Sequence, residues 1–144
     1  DMSDLDLKIV TAEGEMFSGR VDSVTAPGDL GEFTVLPSHV RIISSLSAGE
    51  LRFKHNNENH SLAISGGFFE VKNDVVIVLA DTAERDDDID IERAEVAVQK
   101  ARERLDNTSS DIDLERAIQS MRRAQVRLRV GKKRRSGTTS LPRK

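Results

Sequence analysis

The 144-residue chain has no cysteine, no tryptophan and no tyrosine, and only three prolines and five phenylalanines. Without cysteine there are no disulfides, no thiolate metal sites and no thiol nucleophile, and a reducing compartment is compatible with the composition. With so few aromatic rings, stacking platforms for single-stranded nucleic acid are scarce. No run approaches the roughly 20 apolar residues of a spanning helix, and the N-terminal residues lack the apolar core of a signal peptide. Membrane association is therefore expected only through a partner. Asp1 ahead of Met2 reads as a remnant of expression.

Formal charge is −3, but it is unevenly spread. Glu84 to Glu92 holds six acids and one base, whereas Arg122 to Lys144 holds ten bases and no acid. Such runs are ordinarily solvated faces. A nucleic-acid module working through the basic tail would bind with steep salt dependence. The acidic remainder and the missing aromatics argue against it.

No catalytic constellation assembles. The histidines are His39, in a loop after Pro37-Ser38, and His55 and His60, which flank a polar turn and are expected to be exposed. No phosphate loop of the GxxxxGK[ST] form occurs. Gly28-Asp-Leu-Gly31 and Gly66-Gly67 lack the following helix that a phosphate cradle needs, so they read as turns. No catalytic residue, metal ligand or required cofactor is assigned.

Two periodicities divide the chain. Residues 5–80 alternate apolar and polar positions, as in Leu5, Leu7 and Ile9, and glycine, proline and Asn-Asp signals interrupt them at short intervals. Runs such as Leu62-Ala-Ile64, Phe68-Phe-Glu-Val71 and Val75-Val-Ile-Val-Leu79 fit strands, and many short strands predict a sandwich or flattened barrel. Asn56-Asn57-Glu58-Asn59 predicts one hairpin tip, and Asn73-Asp74 a tighter one.

After Asp81 the period becomes helical. Ile91, Ala94, Val98, Ala101 and Leu105 are spaced 3, 4, 3, 4, and so are Leu114, Ala117, Met121, Ala124 and Leu128. These are the seams of two helices of about 16 residues. Asn107-Thr-Ser-Ser110 is the turn between them, so they lie antiparallel. Asp90 and Asp113 stand where N-cap or first-turn acids belong. Ile89-Asp-Ile-Glu-Arg-Ala94 recurs 23 residues later as Ile112-Asp-Leu-Glu-Arg-Ala117. Four of the ten seam positions are alanine, so the hairpin is thinly packed, and it is expected to be a two-state element that a ligand can tip.

Arg93 and Lys100 share one face of the first helix, and Arg123 and Arg127 one face of the second. Antiparallel packing draws these cations around a common groove, where they attract an anion or else meet neighbouring glutamates.

Three ordered motifs and the start of the hairpin then carry a resemblance. Pro27-Gly28 through Gly31-Glu-Phe-Thr-Val-Leu-Pro37-Ser-His39, the segments Ser65–Val71 and Val76–Glu84, and Ile89–Ala94 together resemble the epsilon subunit of bacterial F-type ATP synthase over roughly residues 5–130. The resemblance implies a ten-stranded β-sandwich (1–86) followed by a two-helix hairpin (87–130), with 131–144 a basic, flexible tail. It implies a non-catalytic rotor subunit that couples proton flow to ATP synthesis on the cytoplasmic face of the cell membrane. The partners implied are the gamma subunit and c-ring, contacted through Gly31, Glu32 and His39, and the alpha/beta head when the hairpin extends and inhibits hydrolysis. ATP is the implied regulatory ligand, with no motif calling for magnesium. Its implied contacts are Glu84, Ile89, Asp90, Arg93, Ala94, Lys100, Arg123 and Arg127. Ile89 and Ala94 would face the base, Asp90 its amino group, and the cations the phosphates. Lys100 departs from the arginine common in ATP-binding members and loses the bidentate fork. Ser38 and Arg41 also depart from the family pattern. The alternative is the same subunit without useful ATP binding, its hairpin acting by position alone.

Overall fold

A computed structural model describes residues 4–108 and 110–135. Ten strands come first: β1 (Leu5–Thr11), β2 (Gly14–Val21), β3 (Ser23–Gly28), β4 (Gly31–Val35), β5 (Ile42–Leu46), β6 (Gly49–His55), β7 (Glu58–Ile64), β8 (Gly67–Lys72), β9 (Val75–Ala80) and β10 (Ala83–Arg85). They pair in the order β10-β7-β6-β3-β5-β8-β9-β1-β2, with β4 on β3. Only the β1–β9 pairing is parallel among those described.

The sheet wraps around one core because its strands alternate. Leu5, Leu7 and Ile9 are buried while Asp6 and Lys8 are exposed. On β9, Val76, Val78 and Ala80 are buried and the intervening residues exposed. Phe17, Phe53 and Phe69 fill the interior with Leu51 and Leu62. Burying each such side chain contributes roughly 1.5–3 kcal/mol.

Both Asn-based turns form, and both are two residues long. Asn56 and Asn57 (φ 54 and 64) and Asn73 and Asp74 (φ 52 and 62) all adopt the left-handed region, as a type I′ hairpin turn requires. Gly67 has φ +151, and a Cβ there would lie 2.2 Å from the Leu79 carbonyl oxygen, so only glycine fits. His60 corrects the sequence expectation. It is 2% exposed, because its place opposite Phe53 in the β6–β7 register points it inward, between the Phe53 and His55 rings. The alternation of β7 outweighs the polarity of the nearby turn.

A 3₁₀ turn (Asp86–Asp88) leads into α1 (Ile91–Asp106) and α2 (Asp111–Arg135). Asp90 caps α1, its Oδ1 accepting from the Arg93 backbone N–H at 3.2 Å. At α2 the corresponding bond goes to Ser110 Oγ from the Asp113 N–H, which leaves Asp113 in the first turn. The internal repeat is therefore not a structural repeat. Ile89 precedes its helix and is buried, whereas Ile112 lies within α2 and is 68% exposed.

The second helix is 25 residues long, not 16. It continues through Gly131, expected to begin the tail, and on to Arg135. Residues 136–144 of that tail, like Asp1 and Met2, lie outside the described residues. The reason is packing. A Cβ on Gly131 would sit 2.9 Å from Ile89 Cγ2 and 3.2 Å from Ile91 Cγ1, so this glycine lets helix and chain approach closely instead of ending the helix. The apolar seam differs too. Ala94, Val98, Ala101, Ala117 and Ala124 are buried, but Leu114 is 41% exposed. Val126 and Val130, absent from the expected seam, instead bury against Ala63 of β7, Ile89 and Ala94. That cluster docks the hairpin on the sandwich.

Candidate functional site

The hairpin gathers cations between its two helices, and one of them, Arg127, lies at the junction with the sandwich. One cleft of about 430 Å³ is lined by Asp90, Glu92, Arg93, Val96, Ala97, Lys100 and Arg127. Three cations and two carboxylates thus face one concavity. Arg93 and Lys100 come from one face of α1, as their seven-residue spacing requires, and Arg127 reaches it from α2 because the short turn folds α2 back.

Arg127 is the residue that crosses the junction. Its Nε donates to Glu84 Oε1 at 2.6 Å and its Nη2 to Glu84 Oε2 at 3.3 Å. The Glu84 carboxylate raises the Arg127 pKa above its ordinary value, with help from Asp90. A two-pronged guanidinium–carboxylate pair is the strong form of such contacts. Arg127 also lines a second cavity of about 650 Å³, with Arg123, Glu84, Asp81 and the β1–β2 turn.

The implied ATP residues therefore separate into three groups. Asp90, Arg93, Lys100 and Arg127 line one cleft. Glu84 stands behind Arg127, and Arg123 faces the neighbouring cavity. Ile89 and Ala94 are 8% and 0% exposed and pack under Val126 and Val130, so neither lines the cleft. The apolar wall of the cleft is Val96 and Ala97 instead. Sequence reasoning passed over these two because they lie off the seam. Val96, an apolar residue at helical spacing among Glu92, Arg93, Gln99 and Lys100, was the available signal.

Of the implied rotor contacts, Gly31 and Glu32 open β4 and His39 lies in the loop between β4 and β5. Gly31 and Glu32 line a shallow cavity with fully exposed Leu30 and with Ile43 of β5. Glu32 accepts a hydrogen bond from Arg52 at 3.0 Å. His39, with φ 58, lies by the β8–β9 turn, where Asp74 Oδ1 accepts from the backbone N–H groups of His39 and Ser38 at 2.9 and 3.2 Å. These bonds hold the Asp74 carboxyl below its usual range. Ile43, Phe68, Val75, Ile77 and Leu79 form an exposed apolar stripe along β5, β8 and β9. Among the described residues no group of His, Asp and Glu has the arrangement of a metal site, and no helix is long and apolar enough to cross a membrane.

Family comparison matches both parts of the chain. Residues 4–86 match the beta-sandwich domain of the ATP synthase delta/epsilon chain, and residues 87–132 its long alpha-helix domain. The chain belongs to the epsilon subunit family of bacterial F-type ATP synthases. An ATP synthase epsilon chain of Dehalococcoides mccartyi is 47% identical over 135 residues, 93% of this chain and 96% of that one. One from Desulforamulus reducens is 48% identical over 104 residues, covering 72% and 79%. Among solved structures, a chain of the Euglena gracilis mitochondrial ATP synthase has a similar fold, with TM-score 0.77 at 20% identity over 86% of this chain and 79% of that one. The ten-stranded sandwich with two C-terminal helices is the fold of the family. Membership makes this a non-catalytic subunit of the synthase.

Proposed function

We propose that this chain is the central-stalk subunit that binds gamma and the c-ring on the cytoplasmic face of the membrane, and that its hairpin is a nucleotide-responsive brake. Docked, the hairpin leaves the catalytic head free. Undocked, α2 extends toward the alpha and beta subunits and inhibits ATP hydrolysis. The observation that carries the reading is the gathering of Arg93, Lys100 and Arg127 in one cleft between the helices, with Arg127 also bonded to Glu84 of the sandwich. Three cations beside two carboxylates leave a local surplus of positive charge, and a polyphosphate supplies the balancing anion. A ligand that binds only the docked state stabilises it by mass action. The exposed apolar stripe and the Leu30–Ile43 edge supply surface for gamma and the c-ring.

Calorimetry with ATP tests the ligand, and ATPase assays of the reconstituted synthase test the brake. Saturable ATP binding that is lost in Arg93→Ala and Arg127→Ala supports the reading. Wild-type-like binding in both variants would remove the cleft from it.

A second reading keeps the brake and drops the nucleotide. It is favoured by the burial of Ile89 and Ala94 and by the Glu84 partner that Arg127 already has. Under it the hairpin acts by position alone, and calorimetry shows no ATP binding at millimolar concentrations.

A further inference from the structure

The last turn of α2 rests on two buried carboxylates of the sandwich side, away from the nucleotide cleft. Glu50 of β6 is 8% exposed. It accepts from Ser61 Oγ at 2.7 Å, from Lys133 Nζ at 2.9 Å and from Arg52 Nη1 at 3.2 Å. Asp86, in the 3₁₀ turn, is 2% exposed. Among the described residues neither of its carboxylate oxygens reaches a donor in full hydrogen-bond geometry, and the Asp87 backbone N–H compensates it only in part.

Among the described residues, the groups facing Asp86 come from several elements. Asp87 lies on its own turn, Glu50 on β6 and Arg134 on α2. β7 also packs against the turn; its buried His60 has its ring against Phe53 and His55. Two carboxylates and one guanidinium do not balance the desolvation of a third carboxylate. What buries Asp86 includes α2 itself, so undocking the hairpin returns Asp86 to water.

We propose that Asp86, closed in beneath the last turn of α2, is a proton-responsive latch that favours the docked hairpin when protonated and loosens it when ionised, whether or not a nucleotide is bound. This rests on the reading that the hairpin undocks. Burial pushes the docked Asp86 carboxyl up to about 6, from an ordinary 3.8. A group whose pKa is higher in the docked state binds more protons there, so docking strengthens as pH falls through 6 and the gain is complete below about 4. Between pH 7.5 and 5 the docking equilibrium shifts about tenfold toward the docked form. Glu50 acts in the opposite sense, but only in the acidic range below its ordinary 4.5.

The absence of cysteine makes the test direct. Cysteines introduced at the exposed positions Lys72 and Gln125 carry a donor and an acceptor dye, and urea titrations of the full chain follow their separation at pH 7.5 and 5. The undocking midpoint should rise at pH 5 in the labelled parent. In Asp86→Asn, neutral at every pH, the slope between the two pH values should vanish, which also separates Asp86 from the histidines. In Arg134→Gln, which removes the facing cation, the response should move to higher pH. A slope retained in Asp86→Asn, or a downward shift in Arg134→Gln, would overturn the latch alone. Loss of dye proximity only with global unfolding, at both pH values, would overturn the latch together with the mobile hairpin.

Discussion

Arg127 and Glu84 join the hairpin to β10 through two hydrogen bonds, of 2.6 and 3.3 Å, between side chains that are each about one third exposed. An exposed pair of this kind contributes up to about 1 kcal/mol, and the fork geometry places this one at the upper end. A double-mutant cycle on hairpin docking with Arg127→Ala and Glu84→Gln should therefore return a coupling of about 1 kcal/mol. The same variants separate two roles in nucleotide binding. Arg127→Ala should weaken ATP binding by about tenfold or more, because it removes a charge-assisted donor. Glu84→Gln should tighten it, because the guanidinium loses a competing carboxylate. Weaker ATP binding in Glu84→Gln would instead put Glu84 in contact with the nucleotide, as the family resemblance implies.

Lys100 is the cation of the cleft with the least directional head group. An ammonium is a point charge, whereas a guanidinium grips phosphate with two parallel donors. Lys100→Arg keeps the charge and adds the fork. Since the side chain is exposed along α1, the longer group meets no packing obstacle. ATP affinity should rise by a few-fold with no change in thermal stability. Calorimetry and a melting curve check the two halves of that statement.

Most of the architecture was legible in the residues. The strands follow from period-two alternation, the two I′ turns from Asn56-Asn57 and Asn73-Asp74, and the hairpin from the 3-4 spacing. What was not legible depends on contacts between distant segments. His60 looks like a turn residue until the β6–β7 register sets it opposite Phe53. Val126 and Val130 look like surface positions until Ala63 and Ile89 meet them. The 23-residue repeat makes Ile89 and Ile112 look equivalent, yet only Ile89 lies where the sandwich can cover it. The cleft was half legible. Spacing placed Arg93 and Lys100 together, but which way Arg123 faces depends on helix rotation, which no local pattern sets.

Gly131 tests the claim that close approach, not helix termination, explains a glycine inside α2, four residues before its end. In a solvent-exposed helix, Gly→Ala gains up to about 1 kcal/mol. Here the added methyl meets Ile89 Cγ2 at 2.9 Å and Ile89 Cβ at 3.3 Å. Rotating the isoleucine relieves the first contact but not the second. Overpacking typically costs about 1–3 kcal/mol, so the clash outweighs the propensity gain. Gly131→Ala should destabilise docking by about 1 kcal/mol and raise amide exchange in residues 126–134. Increased protection there would show that the interface absorbs a methyl group.

Glu50 gives the hairpin an acid-sensitive anchor of opposite sign to Asp86. Burial pushes its pKa up, but hydrogen bonds from Ser61, Lys133 and Arg52 together outweigh it, and the net shift is downward. A carboxyl held below its ordinary 4.5 contributes stability that is fully present above 4.5 and is lost as pH falls through the lower native value. Lys133, from α2, is the one donor of the three that leaves when the hairpin undocks; Ser61 and Arg52 stay with the sheet. Lys133→Met therefore removes only the docking share of this stability, about 1 kcal/mol at neutral pH. It should also flatten the loss of docking below pH 4.5 without altering the response between pH 5 and 7.5. Melting of the dye-labelled chain from pH 3.5 to 7.5 distinguishes the two carboxylates. If Lys133→Met changes the upper range instead, then Glu50 and Asp86 titrate as one coupled pair, not as two independent anchors.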